Sequence, residues 1–489
     1  MTSLKHRIPV RLRQNWKLVA WCAAFLAACC GVFGSGTIRP YVTSAKTAEA
    51  GTVVTNLTGT KDLFDPDVAH DVRITFTDAA YQDMLTEFFK DGEKKYVEAD
   101  LTVDGTRVPS VGVRLKGNST LMGLTWKGQA KQRRVPAGER RPEGLPEGFR
   151  PPDGMPPPGQ PRAGRDGGFG GGFGGGGGPG GFGAQLKGEE PENLPWLISF
   201  DEFVAGRRYQ GHSQVAVRPA STGSAAMLNE ALGISVVGAA GEPTQRSTYS
   251  AFTVNGRAAA PRLLVEYLDE GYAERLGDGV LYKSLASGSF TYKGEDQTEY
   301  TEDFKQVNKV GGKDLQPVID LVKWVNEASA AEFAEGLDER LDVQSFARYL
   351  ALQNLMANFD DMAGPGKNYY LWYDLDTGKF RVITWDLNLA FSGNAESGAR
   401  DTTRTSHPLK EKFLANAAFK QLYEEQYRAL YAGLLADGTA AGLLDGLVAA
   451  YGRNEGADPA KIEEEARTLR AFLETRTRAL GSDQAISGP

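Results

Sequence analysis

The stretch NFDDMAGPGKNYYLWYDLDTGKFRVITWDLNLAF, running from Asn358 to Phe391, decides how the rest of the chain is read. Asp360 and Asp361 follow an apolar run with helical spacing, and Asn368 opens a short aromatic run, YYLWYD. The turn DLDTGK reverses the chain, and a second apolar run, FRVIT, delivers Asp386 within TWDLNLAF. The pattern is helix, loop, β-hairpin, loop. Paired strands of a hairpin put Asn368, at the start of one, and Asp386, past the end of the other, at the same end. Asp360 and Asp361 lie in the loop that feeds it. Hard oxygen donors converging in this way suit Mg²⁺, which takes one or two carboxylates and leaves its other positions to water and phosphate oxygens.

Protein kinases share this layout of a catalytic-loop Asp, a metal-binding Asn, a hairpin and a metal-binding Asp. The spacing departs from the usual signature: Asp360 precedes Asn368 by eight residues, not five, and TWD stands for DFG. At these residues the sequence resembles the spore-coat CotH kinase family, an atypical kinase-like group. The resemblance rests on VGVRLKGNST (111–120), LPWLISFDEF (194–203), APRLLVEYLDE (260–270), GVLYK (279–283), SFARYLALQNLMANFDD (345–361), KNYYLWYD (367–374) and ITWDLNLAF (383–391). These pieces occur in the family's order between about residues 66 and 430. The resemblance implies an α+β class: a two-lobed, atypical protein-kinase-like fold with a β-rich N-lobe (66–270) and a mainly helical C-lobe (271–485) that carries the hairpin 358–391. It also implies ATP and Mg²⁺ as cofactors.

Within that frame Asp360 is the expected catalytic carboxylate, orienting an acceptor hydroxyl and taking its proton, with Asp361 as the competing assignment. Asn368 and Asp386 are the expected metal ligands. An asparagine after Gly364-Pro365-Gly366 is also an ordinary turn residue; an aspartate between Trp385 and Leu387 is costly to bury unless paired or metal-bound. Phosphate-facing cations are sought in Arg114 and Lys116 of RLKGNST, in Lys367, and in Lys283, which matches the family's LYK. A Lys116–Glu230 ion pair would imitate the lysine–glutamate pair of kinases. Glu266 and Asp269 match the family's acidic hinge, either touching the nucleotide or closing the lobe interface. Family members usually carry a lysine-rich strand where this chain has LPWLISF, with Leu197 and Ser199 at the lysine positions, a departure that bears on nucleotide affinity.

The 489 residues suffice for one large two-lobed core. A formal net charge of −7 supplies no basic field, so no nucleic-acid partner is expected. Residues 18–34, LVAWCAAFLAACCGVFG, are uninterruptedly apolar, and Lys5, Arg7, Arg11, Arg13 and Lys17 precede them, whereas the first acidic residue is Glu49. That asymmetry predicts a cytoplasmic basic tail (1–17), a single-pass transmembrane signal anchor (18–34) and an extracytoplasmic remainder beginning with a stalk (35–65). A cleaved signal peptide, or lipoprotein processing at Cys29 after Leu26-Ala27-Ala28, are the alternatives. All three cysteines (Cys22, Cys29, Cys30) lie in this segment, so the exported part has neither disulfide nor thiol chemistry.

Residues 127–193 begin basic and proline-rich and end as GRDGGFGGGFGGGGGPGGFG, a composition that cannot bury enough apolar surface to order itself and reads as an unstructured insertion. Four histidines, His6, His70, His212 and His407, are too few and too scattered for a histidine metal site or a Ser-His-Asp triad. Two carboxylates alone would also suit a glycosidase, but the hairpin between them favours phosphoryl transfer. Two functions follow from the resemblance: a membrane-anchored kinase acting on Ser/Thr of surface or coat proteins, or a catalytically weak scaffold of the same fold that binds surface proteins or wall polymer.

Overall fold

Apolar residues alternate with polar ones along VRIT and VEADLTV, a pattern that buries one face of each strand, and QVAV is a short apolar run. In the computed structural model these runs form strands of a single barrel. The structure describes residues 54–117, 119–130, 186–219, 226–310, 312–401 and 407–487. The chain divides into two units, 1–49 and 50–489, and every described residue belongs to the second. The expected basic tail, membrane segment, most of the stalk and the body of the insertion lie outside the described residues. Among the described residues no single helix is long and apolar enough to cross a membrane.

In chain order the first half contains β1 (Thr55–Leu57), β2 (Asp71–Thr75), α1 (Asp78–Asp91), β3 (Val97–Val103), β4 (Thr106–Leu115), β5 (Thr125–Trp126), β6 (Gln129–Ala130), β7 (Trp196–Ser199), β8 (Arg207–Tyr209), β9 (Gln214–Val217), α2 (Leu228–Ala239), β10 (Ser247–Val254) and β11 (Ala260–Glu266). Seven strands close into a barrel in the order β10-β11-β9-β7-β4-β3-β2. Closure comes from the parallel pair β10–β2, with Ala251 opposite Asp71 and Val254 opposite Ile74. Ile74, Leu101, Val113, Leu115, Ile198, Val215, Val217, Phe252 and Leu264 belong to one core cluster, onto which α1 packs Met84, Leu85 and Phe88. Thr77 caps α1, its side chain accepting from the Ala80 amide. Strands β3 and β4 form a hairpin that turns at Asp104-Gly105.

The ends of the expected unstructured insertion are ordered. Trp126 pairs with Gln129, Leu186 is buried, the Tyr81 hydroxyl donates to the Gly188 carbonyl at 2.7 Å, and the Trp196 indole donates to the Pro191 carbonyl at 2.9 Å. The boundary at 193 is therefore too late by several residues, because Leu186, Pro191 and Leu194 contribute to burial that composition alone does not reveal.

The second half contains α3 (Glu270–Leu276), β12 (Gly279–Ser284), β13 (Phe304–Gln306), α4 (Gln316–Glu327), α5 (Ala330–Gly336), α6 (Val343–Leu355), β14 (Tyr369–Asp374), β15 (Phe380–Thr384), α7 (Pro408–Ala415), α8 (Ala417–Leu430), α9 (Thr439–Gly452), α10 (Pro459–Gly481) and α11 (Gln484–Ser487). The four strands form a second sheet in the order β13-β12-β14-β15. Asp342 caps α6, accepting from the Ser345 amide at 3.0 Å. Helix α2 is apolar on nearly every side and is buried accordingly, packing on α9 and sharing a core with α4, α6 and α8 although it lies between barrel strands in sequence. A Cβ on Gly233 would come within 3.2 Å of Leu387, so this glycine lets α2 sit directly on the segment after Asp386.

Candidate active site

Helix α6 ends at Leu355, and the turn beyond it is fastened by side chains. The Asn358 amide donates to Gln353 Oε1 at 2.8 Å, and its Oδ1 accepts from the Asp360 amide at 3.3 Å. Asp360 is buried, with Oδ1 accepting from the Gly366 amide at 2.6 Å and Oδ2 from Asn368 Nδ2 at 3.0 Å. The loop 361–367 folds tightly over this carboxylate. A Cβ on Gly364 would lie 2.5 Å from Asp360 Oδ1, and one on Gly366 would lie 2.7 Å from Oδ2 and 2.8 Å from Asn368 Nδ2. Burial raises the pKa of Asp360, and the neighbouring Asp386 and Asp361 add to the rise against the Gly366 hydrogen bond.

Asp361 is committed elsewhere. Its Oδ2 accepts from Lys410 Nζ at 2.8 Å and its Oδ1 from the Ala363 amide at 2.8 Å, with both members of the ion pair buried. Of the two adjacent aspartates, Asp360 is the one bonded to Asn368. A cavity of about 40 Å³ beside Asp361, lined by Asn358, Asn394, Asp401, Lys410 and Tyr423, has room for a water-sized group but not for a nucleotide.

The β14–β15 register sets Tyr369 opposite Thr384, which places Asn368 and Asp386 at one end of the hairpin. Asp386 sits in the left-handed region (φ 54°, ψ 64°), a conformation aspartate tolerates better than most residues, and its side chain is 29 % exposed. Its Oδ1 accepts from Arg218 Nη2, and the same guanidinium pairs with buried Glu230 of α2, Nε donating to Oε2 at 2.6 Å. Burial alone would raise the pKa of Asp386, but Arg218, then Lys116 and Lys283, outweigh it and hold the carboxyl below the usual range. Burial would likewise lower the pKa of Arg218; Glu230 and Asp386 reverse that and keep the guanidinium charged.

Lys116 lies just past β4, its ammonium 5.2 Å from the Trp385 ring centroid and 5.9 Å from that of Tyr267. Lys283 of β12 lies 5.3 Å from Trp385 and 5.6 Å from Tyr370. Desolvation, reinforced by repulsion from Arg218, pulls Lys116 down to about 7, against the attraction of Asp386 and Glu230. Hard oxygens fit a divalent ion here: with the Asn368 amide nitrogen donating to Asp360, the amide oxygen is the ligand end, and Asp386 Oδ2 stands beside the oxygen that Arg218 takes. Among the described residues the trio of acidic groups with oxygens within 4.8 Å of one another is Glu87, Asp91 and Glu93, on and just past the last turn of α1, and it includes neither Asp360 nor Asp386.

A protein-family model described as CotH kinase protein matches residues 189–480, more than half of the 489-residue chain. The chain belongs to the CotH kinase family. It is 22 % identical over 232 residues to inner spore coat protein H of Bacillus subtilis (strain 168), an overlap of 45 % of this chain and 63 % of that protein. The chain thus spans less than two thirds of that relative's length. It is a mixed α+β, kinase-like protein related to spore coat protein H.

The CotH match encloses Arg218, Glu230, Lys283, Asp360, Asn368 and Asp386, whereas Arg114 and Lys116 precede it. One expected pairing changes on the structure. Glu230 is bonded by Arg218 rather than Lys116, because Arg218, the residue after β9, sets its guanidinium on the Glu230 carboxylate of α2. Asp269 is spent on the hinge: Oδ2 accepts from the Ser213 amide and hydroxyl and from the Gln214 amide, and Oδ1 caps α3 through the Tyr272 amide. Glu266 is fully buried, its Oε2 accepting from the Arg246 amide at 2.9 Å and from Arg275 at 2.5 Å, while its Oε1 has no hydrogen-bond partner among the described residues.

Arg114 lies with its guanidinium 5.0 Å from the Tyr96 ring centroid and donates to the Leu115 carbonyl. Lys367 occupies the loop over Asp360 at φ 49°. Leu197 pairs in register with both Arg114 and Ala216, so it shares their sheet face and replaces a cation there with buried hydrocarbon. Sequence reading missed Arg218; the available signal was a charged residue closing the apolar run QVAV, as Arg114 and Lys116 close VGV.

Proposed function

We propose that this CotH-family chain is an atypical protein kinase that transfers the γ-phosphate of ATP to Ser/Thr hydroxyls of surface or coat proteins, with Mg²⁺. The observation that carries the reading is the gathering of Asp360, Asn368 and Asp386 at one end of the β14–β15 hairpin, with Lys116, Arg218 and Lys283 bearing on Asp386. In this reading the barrel and the helical half act as the two lobes of a kinase-like fold, with Glu266 to Asp269 as the hinge.

Asp360 accepts the proton of the acceptor hydroxyl, a task helped by a pKa raised toward working pH. The Gly366 amide and Asn368 fix its carboxylate plane. Lys116 and Lys283 meet phosphate oxygens, and Lys367 lies on the loop that an acceptor would approach. Asn368 and Asp386 would hold Mg²⁺, which neutralises phosphate charge when bound. The work of the chain's own residues is positioning and charge compensation. The N-terminal apolar segment would tether this part outside the membrane. A catalytically weak scaffold is the second reading, and buried Leu197 in place of a lysine favours it.

The test is a thermal shift of the full chain with ATP, with and without Mg²⁺, beside Asp386→Ala, together with transfer of labelled phosphate to a protein acceptor. The expected result is Mg²⁺-dependent stabilisation, since a ligand that binds only the folded state raises its Tm, and its loss in the variant. A folded protein that responds to no nucleotide would hand the case to the scaffold.

A further inference from the structure

Asn368 and Asp386 offer a divalent ion one amide oxygen and one carboxylate, a set that Mg²⁺ completes with water and substrate phosphates. Here the one carboxylate is already paired. Asp386 and Glu230 share the Arg218 guanidinium, while Lys116 and Lys283 also hold Asp386 in its charged form. A divalent ion arriving alone would face the Arg218 guanidinium on Asp386, whereas a polyphosphate would meet cations first. Arg218 is the decisive member because, of these three cations, it is the one hydrogen-bonded to Asp386 among the described residues, and Glu230, anchored on α2, keeps it there. Helix α2 is itself fastened to the same segment, through Gly233 against Leu387 and through Asn229, which donates to the Asn388 carbonyl at 2.5 Å.

We propose that Arg218 is a positioning residue that makes divalent-metal binding at Asp386 conditional on a bound polyphosphate: the guanidinium occupies Asp386 until phosphate oxygens share its charge. The proposal rests on the kinase reading above and deepens it. It also implies that ATP binds this chain without metal.

The experiment uses the full chain. Mn²⁺ binding is followed by the loss of the free-ion electron paramagnetic resonance signal, and ATP binding in EDTA by calorimetry. Arg218→Gln combined with Glu230→Gln removes the bridge together with the buried Glu230 charge that Arg218 neutralises, and Arg218→Lys keeps the charge. The double variant is expected to bind Mn²⁺ alone at least tenfold more tightly than the wild type, and Asp386→Asn added to it should abolish the gain. Arg218→Lys should stay near the wild type, and ATP should bind the wild type in EDTA. Equal Mn²⁺ affinity in the wild type and the double variant would overturn the proposal while leaving the kinase reading intact. Absence of ATP binding with or without Mg²⁺ would instead overturn the kinase reading, and the conditional metal site with it.

Discussion

Replacing Lys410 with Met separates the roles of the two adjacent aspartates. Lys410 Nζ lies 2.8 Å from Asp361 Oδ2, with side-chain exposures of 7 % and 5 %. Without the ammonium, a buried carboxylate keeps one donor, the Ala363 amide. Stranding one member of a buried ion pair costs about 3–5 kcal/mol. Unfolding entropy of about 2 cal/mol/K per residue over about 400 residues gives about 0.8 kcal/mol/K, so Tm should fall by about 4–6 °C. Adding Asp361→Asn removes the stranded charge and should restore most of that loss, since a neutral amide can still accept from Ala363. Calorimetry and phosphate transfer are then read on the same samples. The double variant should retain most transfer, whereas Asp360→Asn should lose about 10²–10⁴-fold with little change in Tm. A double variant with near-native Tm but transfer as low as that of Asp360→Asn would refute the reasoning and make Asp361 the catalytic carboxylate.

Gly366→Ala would set a methyl 2.7 Å from Asp360 Oδ2 and 2.8 Å from Asn368 Nδ2, forcing that pair apart. Transfer should fall at least about tenfold with Tm nearly unchanged, and full activity would show that the tight loop is dispensable. Glu266 predicts a pH effect at the hinge. Burial pushes its pKa up to about 7, so the folded protein keeps a proton that the unfolded chain releases between about pH 4.5 and 7. Its contribution to stability is therefore fully present below that window and lost as pH rises through it, on the order of 3 kcal/mol. His212, 3.6 Å from Glu266 and itself pushed down by burial, pulls the other way. Glu266→Gln should consequently gain Tm relative to the wild type as pH rises from 5 to 8, and a pH-independent difference would remove Glu266 from that role.

Local chemistry in the sequence determined the elements and much of the site. Asp342 caps α6 because a side-chain oxygen three residues ahead of a free amide needs no distant partner. Hairpin pairing puts Asn368 and Asp386 at one end whatever surrounds them. Only tertiary structure decided which charges meet. Asp386 and Arg218 are 168 positions apart, and their contact depends on barrel closure, on the placement of β9 and on α2 lying against the segment after Asp386. The same holds for Asp361, whose partner Lys410 lies 49 residues away on α7, and for Asp269, bonded across the hinge to Ser213 and Gln214. A cap or a hairpin is satisfied within a few residues of itself. A buried charge takes whichever partner the packed fold brings within hydrogen-bond distance, and no periodicity in the chain encodes that choice.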